Sequence, residues 1–103
     1  MNIPEIDPPE ARILHDAGAA LFLDVRDRAS HDAARITGAV TVSDDTLHTF
    51  LAETSRDQKI VVYCYHGHAS LGGAAYLLER GFSDVCSLRG GFAQWGGPVA
   101  PNP

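Results

Sequence analysis

Short apolar runs alternate along this chain with stretches of helical spacing. Leu21-Phe22-Leu23-Asp24-Val25 is a compact apolar run that ends in charge, the pattern of a buried strand reaching the edge of a sheet. Ala39-Val40-Thr41-Val42 repeats it more weakly, Ile60-Val61-Val62-Tyr63 is the strongest strand signal, and Asp84-Val85-Cys86-Ser87-Leu88 reads as another strand. Helical signals fill the intervals. Asp7 suits an N-cap, Pro8 the first helical position and Glu10 the third, so a helix starts there and stops at Gly18. Between Thr46 and Glu53 the spacing of Leu47, Phe50 and Leu51 predicts a second helix, with Asp44 or Asp45 as its cap. Leu71, Ala74, Ala75 and Leu78 fall at i, i+3, i+4 and i+7, and Gly81 supplies a C-terminal stop. Gly72 and Gly73 each cost that helix about 1 kcal/mol relative to alanine, which points to a close approach of its start to the sheet. Phe92 to Trp95 reads as a final helical turn, and residues 96–103 as a frayed or surface-draped tail. Strands alternating with helices imply an α/β sandwich of three layers, α/β/α, around a mostly parallel central sheet of about five strands.

Composition narrows the possibilities. The chain has 103 residues, enough for one domain, and is 45% hydrophobic and 20% charged, as ordinary globular proteins are. No window approaches the roughly 18 uncharged apolar residues of a membrane span, so a soluble protein with no membrane partner is expected. Lys and Arg total 8 against 13 Asp and Glu, a formal charge of -5, which disfavours the basic face of a nucleic-acid binder. The two cysteines, Cys64 and Cys86, do not make a disulfide scaffold, and the N-terminus lacks a basic segment followed by an apolar one. A reducing, cytoplasmic setting is expected. With no long exposed apolar stripe, so is a monomer or weak dimer.

The chemistry concentrates in Cys64-Tyr65-His66-Gly67-His68-Ala69-Ser70, between the strongest strand and the strongest helix. Such a junction faces the carboxyl edge of a parallel sheet, where open α/β folds bind ligands. A short loop running into a helix N-terminus turns several peptide N–H groups inward, and Gly67 permits the positive φ this needs. A cysteine at the base of that loop feels partial positive charge, which lowers a thiol pKa from about 8.5 into the range of roughly 3.5 to 7.5. The competing reading of Cys64 is an inert buried strand residue.

These residues resemble a known family. Cys64-Tyr65-His66-Gly67-His68-Ala69 is similar to the six-residue active-site loop of rhodaneses, especially the small single-domain thiosulfate sulfurtransferases of bacteria. Leu23-Asp24-Val25-Arg26 resembles the family's aspartate-valine-arginine signature. Ile36-Thr37-Gly38-Ala39 is similar to its isoleucine-proline-glycine-alanine turn, and Gly90-Gly91-Phe92-Ala93-Gln94-Trp95 to its terminal glycine-glycine and tryptophan element. The resemblance spans roughly residues 20 to 96 and implies that 1–103 is one rhodanese domain. It implies sulfane-sulfur transfer by double displacement, with Cys64 as the nucleophile and residues Tyr65 to Ser70 holding the substrate. The donor would be thiosulfate or a relative, and the acceptor cyanide, a small thiol or a protein thiol. No metal or organic cofactor is implied. The chain departs from the family at Thr37, where a less rigid turn is expected, at Arg35, where a histidine is common, and at Ala69 and Leu71. Those last two offer no hydroxyl or base for an oxyanion, leaving Ser70, His66 and His68.

Each residue also has a blander reading. Asp24 and Arg26, charged and at a strand end, fit a structural pair that bonds backbone and one another. His66 and His68 are exposed loop residues unless they contact substrate, since a thiolate formed by local electrostatics needs no base. Cys64, His66 and His68 are too tightly spaced for the usual zinc pairs. Cys86 reads as core or as a resolving thiol, Trp95 and Phe92 as packed beneath the site, and His15, His31 and His48 as surface residues without signal. Two other functions use this architecture. A phosphatase or arsenate reductase needs an oxyanion-clamping arginine, and none lies between Cys64 and Arg80. A binding or persulfide-carrier module does not need turnover, and here the cysteine is present.

Overall fold

A computed structural model describes residues 2–101; Met1, Asn102 and Pro103 lie outside the described residues. The elements follow in the order β1 (Glu5–Ile6), α1 (Pro8–Asp16), β2 (Leu21–Asp24), α2 (Arg28–Ala33), β3 (Arg35–Ile36), β4 (Val40–Thr41), α3 (Asp44–Glu53), β5 (Ile60–Tyr63), α4 (Ala69–Glu79), β6 (Val85–Leu88), a 3₁₀ turn (Phe92–Gln94) and β7 (Val99–Ala100). The five strands of the central sheet run in the order β1-β6-β5-β2-β4, every pairing parallel. Two cores cover its faces. Ala11, Phe22, Ile36, Val61, Tyr63, Leu88 and Trp95 form one, on the side of α1. Leu23, Ile60, Val62, Ala74, Leu77, Phe82 and Val85 form the other, beneath α4. All four residues of β5 are fully buried, which is why that strand reads as an unbroken apolar run. No described helix is long and apolar enough to cross a membrane.

Several expectations are corrected. Residues 96–101 are not a frayed tail: Val99–Ala100 pairs antiparallel with Arg35–Ile36, and Pro98 O accepts from Thr37 N at 3.2 Å. Thr37 therefore anchors its turn with an N–H that proline lacks, offsetting the expected loss of rigidity. Asp7 sits at the N-cap of α1 but makes no side-chain cap, because its carboxylate bonds Arg89 instead. Ser43, rather than Asp44 or Asp45, caps α3, in a box with Thr46. A Cβ on Gly73 would lie 3.1 Å from Val62 Cγ1, so this glycine lets α4 meet the sheet, whereas Gly72 faces open space.

His31 is buried, not superficial, and its Nδ1 donates to Asp24 Oδ2 at 2.9 Å. His15 is half-buried, its ring edge-on to Phe22 and Trp95, with Nε2 bonding Thr37 O at 2.7 Å. Trp95 packs there, in the α1-side core. Only Phe92 reaches the neighbourhood of the loop, stacking on Tyr63 and lying 6.2 Å from the Tyr65 ring.

Candidate active site

Cys64 follows the last residue of β5, so a strand with no freedom to shift sets where its sulfur emerges. The loop then closes in four residues and enters α4 at Ala69. Gly67 makes the turn with φ +93°, and a Cβ there would lie 2.9 Å from Gly90 N. From behind, Phe92 N donates to Cys64 O and Ala93 N to Tyr65 O, both at 2.9 Å. Gly91, at φ +64°, makes that approach possible, since a Cβ would lie 2.6 Å from Cys64 O and Tyr65 C. Gly91 thus admits a backbone clamp, the N–H groups of Phe92 and Ala93, that holds two loop carbonyls.

With its carbonyls held, the loop turns N–H groups toward Sγ. Gly67 N donates to Sγ at 3.1 Å and Ser70 N at 3.3 Å. The first-turn amides of a helix have no intrahelical acceptor, and His68, at the N-cap of α4, supplies no side-chain cap. The sulfur takes that place. Ser70 Oγ lies 3.3 Å from Sγ and 2.8 Å from Ser87 Oγ, and both serines are buried. Burial alone would push the Cys64 thiol up, but the Ser70 hydroxyl and the peptide N–H groups of Ser70, Gly67 and His66 outweigh it and hold the thiol below its ordinary range. Cys64 itself is 5% exposed, whereas Tyr65, His66, His68 and Ala69 are exposed around it. The loop residues from Tyr65 to Ser70 therefore contribute mainly through their backbone, with Ser70 adding a hydroxyl.

Asp24 and Arg26 come together at the end of the neighbouring strand, in register with Tyr63. Arg26 Nη2 donates to Asp24 Oδ2 at 2.7 Å and Nε to Oδ1 at 3.0 Å, while a third donation from Nη2 reaches Ala34 O at 2.6 Å. Tyr63 OH donates to the same carboxylate at 3.1 Å. Burial opposes ionisation of Asp24, yet the Arg26 and His31 hydrogen bonds hold its carboxyl below the usual range. The Arg26 guanidinium rests 4.5 Å from the centre of the Phe92 ring, linking this cluster to the clamp. Cys86 lies on the opposite face of β6 from Ser87, and burial pushes its thiol up. No metal-competent cluster of three or more His, Cys, Asp or Glu occurs among the described residues.

Sequence reasoning missed three contributors. His31 and Tyr63 complete the Asp24 cluster, and Ser87 touches Ser70. None carries a local motif; only the strand alternation that buries Ser87 could have marked it.

Known proteins resemble this chain in sequence and fold. The rhodanese-like domain model matches residues 7–97. A thiosulfate sulfurtransferase GlpE of Pseudomonas fluorescens strain Pf0-1 is 44% identical over 90 residues, covering 87% of this chain and 82% of the relative. The solution structure of the rhodanese-like domain of the Anabaena Alr3790 protein superimposes with a TM-score of 0.79 at 29% identity, over 100% of this chain and 86% of that one. Human single-domain sulfurtransferase TSTD1 shares the fold at a TM-score of 0.81 and 22% identity, over 91% and 96% of the two chains. By its matched length and its shared fold, this chain belongs to the rhodanese-like domain family.

Proposed function

We propose that the protein is a sulfurtransferase that moves sulfane sulfur from thiosulfate, or a related donor, to a thiophilic acceptor through a persulfide on Cys64. The observation that carries this reading is a buried sulfur bonded by peptide N–H groups and one hydroxyl and held below the ordinary thiol range. The close relative's name, a thiosulfate sulfurtransferase, supports the choice of donor.

In the first half-reaction the Cys64 thiolate attacks the outer sulfur of thiosulfate. A sulfur–sulfur bond forms to Sγ, the donor's own sulfur–sulfur bond breaks, and sulfite leaves with the electron pair. The terminal sulfur of the persulfide carries the negative charge, and the N–H groups of the loop stabilise it as they stabilised the thiolate. In the second half-reaction cyanide or a thiolate attacks that terminal sulfur, forming thiocyanate or a new persulfide and returning the Cys64 thiolate. Each step exchanges one bond to sulfur for another, so the chain's own residues suffice. The Asp24–Arg26 pair holds the sheet edge beside the loop and takes no part in bond making.

Incubation with thiosulfate followed by intact mass measurement tests this. Wild-type protein gains one sulfur, Cys64→Ala none, and cyanide removes the gained sulfur as thiocyanate. A wild type that stays unmodified overturns the proposal in favour of a binding module, and hydrolysis of an aryl phosphate overturns it in favour of phosphoryl chemistry.

A further inference from the structure

Ser87 is a buried polar side chain, one hydroxyl removed from the sulfur, that the steps above leave without a task. It lies in β6, 1% exposed, where strand alternation turns Val85 and Ser87 toward α4, and Cys86 and Leu88 to the opposite core. Among the described residues its hydroxyl has one hydrogen-bond partner, Ser70 Oγ at 2.8 Å, and Ser70 Oγ in turn lies 3.3 Å from Cys64 Sγ. Three groups stand in a row and share hydroxyl protons that point one way or the other.

We propose that Ser87 is a positioning residue for the sulfur chemistry, its hydroxyl donating to Ser70 Oγ so that the single Ser70 proton points at Cys64 Sγ. This rests on the reading of Cys64 as the reacting sulfur. With the sulfur ionised, Ser87 donates to Ser70 and Ser70 to the sulfur, and every proton has an acceptor. With the sulfur protonated, its S–H occupies Ser70, and whichever way the two hydroxyls turn, one O–H is left buried without an acceptor, a costly arrangement. The row therefore favours the thiolate, and a donor into Ser70 strengthens its own donation. Ser87 also pins the Ser70 rotamer from a strand, the most rigid neighbour available.

Charged neighbours do not account for the same effect. The ionisable groups on the surrounding elements are Tyr65, His66 and His68 in the loop, Tyr63 on β5, Cys86 on β6, and Tyr76 and Glu79 two or more turns along α4. Beyond them, Arg26 is engaged by Asp24, and Arg89 by Glu5 and Asp7. None makes a side-chain hydrogen bond to Sγ; the hydroxyl that does belongs to Ser70.

The test is the pH profile of iodoacetamide alkylation at Cys64, read by peptide mass mapping. In Ser87→Ala the profile moves to higher pH by about half a unit, so rates on its acid limb fall about threefold. Ser87→Thr, which keeps the hydroxyl, restores it. Ser70→Ala moves it further, and adding Ser87→Ala to Ser70→Ala changes nothing more, because Ser87 acts through Ser70. An unmoved profile in Ser87→Ala with native circular dichroism, or an equal shift in the Ser70→Ala background, overturns the relay. Should Ser87→Ala fail to fold, Ser87→Cys, similar in volume and a weaker donor, must shift the profile in the same direction, and its failure to do so overturns the relay. Alkylation needs no sulfur donor, so the relay can fail while wild type still forms a persulfide. A wild type that takes no sulfur from thiosulfate instead overturns the functional reading and, with it, the role in sulfur chemistry.

Discussion

Two buried groups at neighbouring strand ends, Asp24 and Cys64, are both held toward their ionised forms against burial, one with a formal countercharge and the other by neutral dipoles. Asp24 accepts one backbone N–H, from Arg26, and is otherwise surrounded by side chains: Arg26 in a fork, His31 and Tyr63. Cys64 is met by backbone N–H groups and one hydroxyl. A formal countercharge that stays fixed makes Asp24 a strut, because the pair has little to gain from any other partner. Neutral dipoles favour a negative sulfur without neutralising it, so its charge can move onto an incoming atom. A pKa held low is therefore not by itself a sign of reactivity; what holds it low decides.

The largest expected effect breaks the strut. Asp24→Asn leaves the Arg26 guanidinium without its charge partner and lowers stability at neutral pH by about 3–5 kcal/mol, measured by urea unfolding. Because the folded carboxyl lies below its unfolded value of about 3.9, the stabilisation is present above that pH and disappears as pH falls through the folded value. The penalty of the variant therefore shrinks in acid. Its Cys64 alkylation profile stays in place; a displaced profile would show that the strut also governs the sulfur. Next comes the clamp. Gly91→Ala puts a non-glycine residue at φ +64° and a Cβ against the Cys64 and Tyr65 carbonyls. It costs about 1–3 kcal/mol and reduces persulfide yield, which melting curves and intact mass record together. The smallest effect contrasts the two cysteines in wild type. Alkylation at Cys64 persists to lower pH than at Cys86, whose thiol burial pushes up, and coincident profiles would remove the distinction.

How much of this could be read beforehand depended on how far each feature reaches along the chain. β2, β5, β6 and α4 announce themselves through continuous apolar runs or one-sided spacing, and the Cys64 loop through its place between two of them. β1, β3 and β7 have two residues each, too few for any period, and β7 sits among glycines and prolines that argue for a loop. α2 is a polar turn, so the burial of His31 is invisible until Asp24 folds against it. Ser87 and Gly91 meet Ser70 and the Cys64 carbonyl across more than fifteen residues of chain, a proximity that only the parallel sheet creates.

The Gly91 clamp has one further consequence, for chain length. Arg89 N reaches back to Ile6 O, and Phe92 N and Ala93 N to the Cys64 and Tyr65 carbonyls, so the stretch between is a ruler fixed at both ends. A single inserted residue there would misalign both amides at once, while many replacements of side chains at Ala93 or Gln94 would leave the spacing intact. Family members that tolerate wide drift in sequence should still count this interval to the residue.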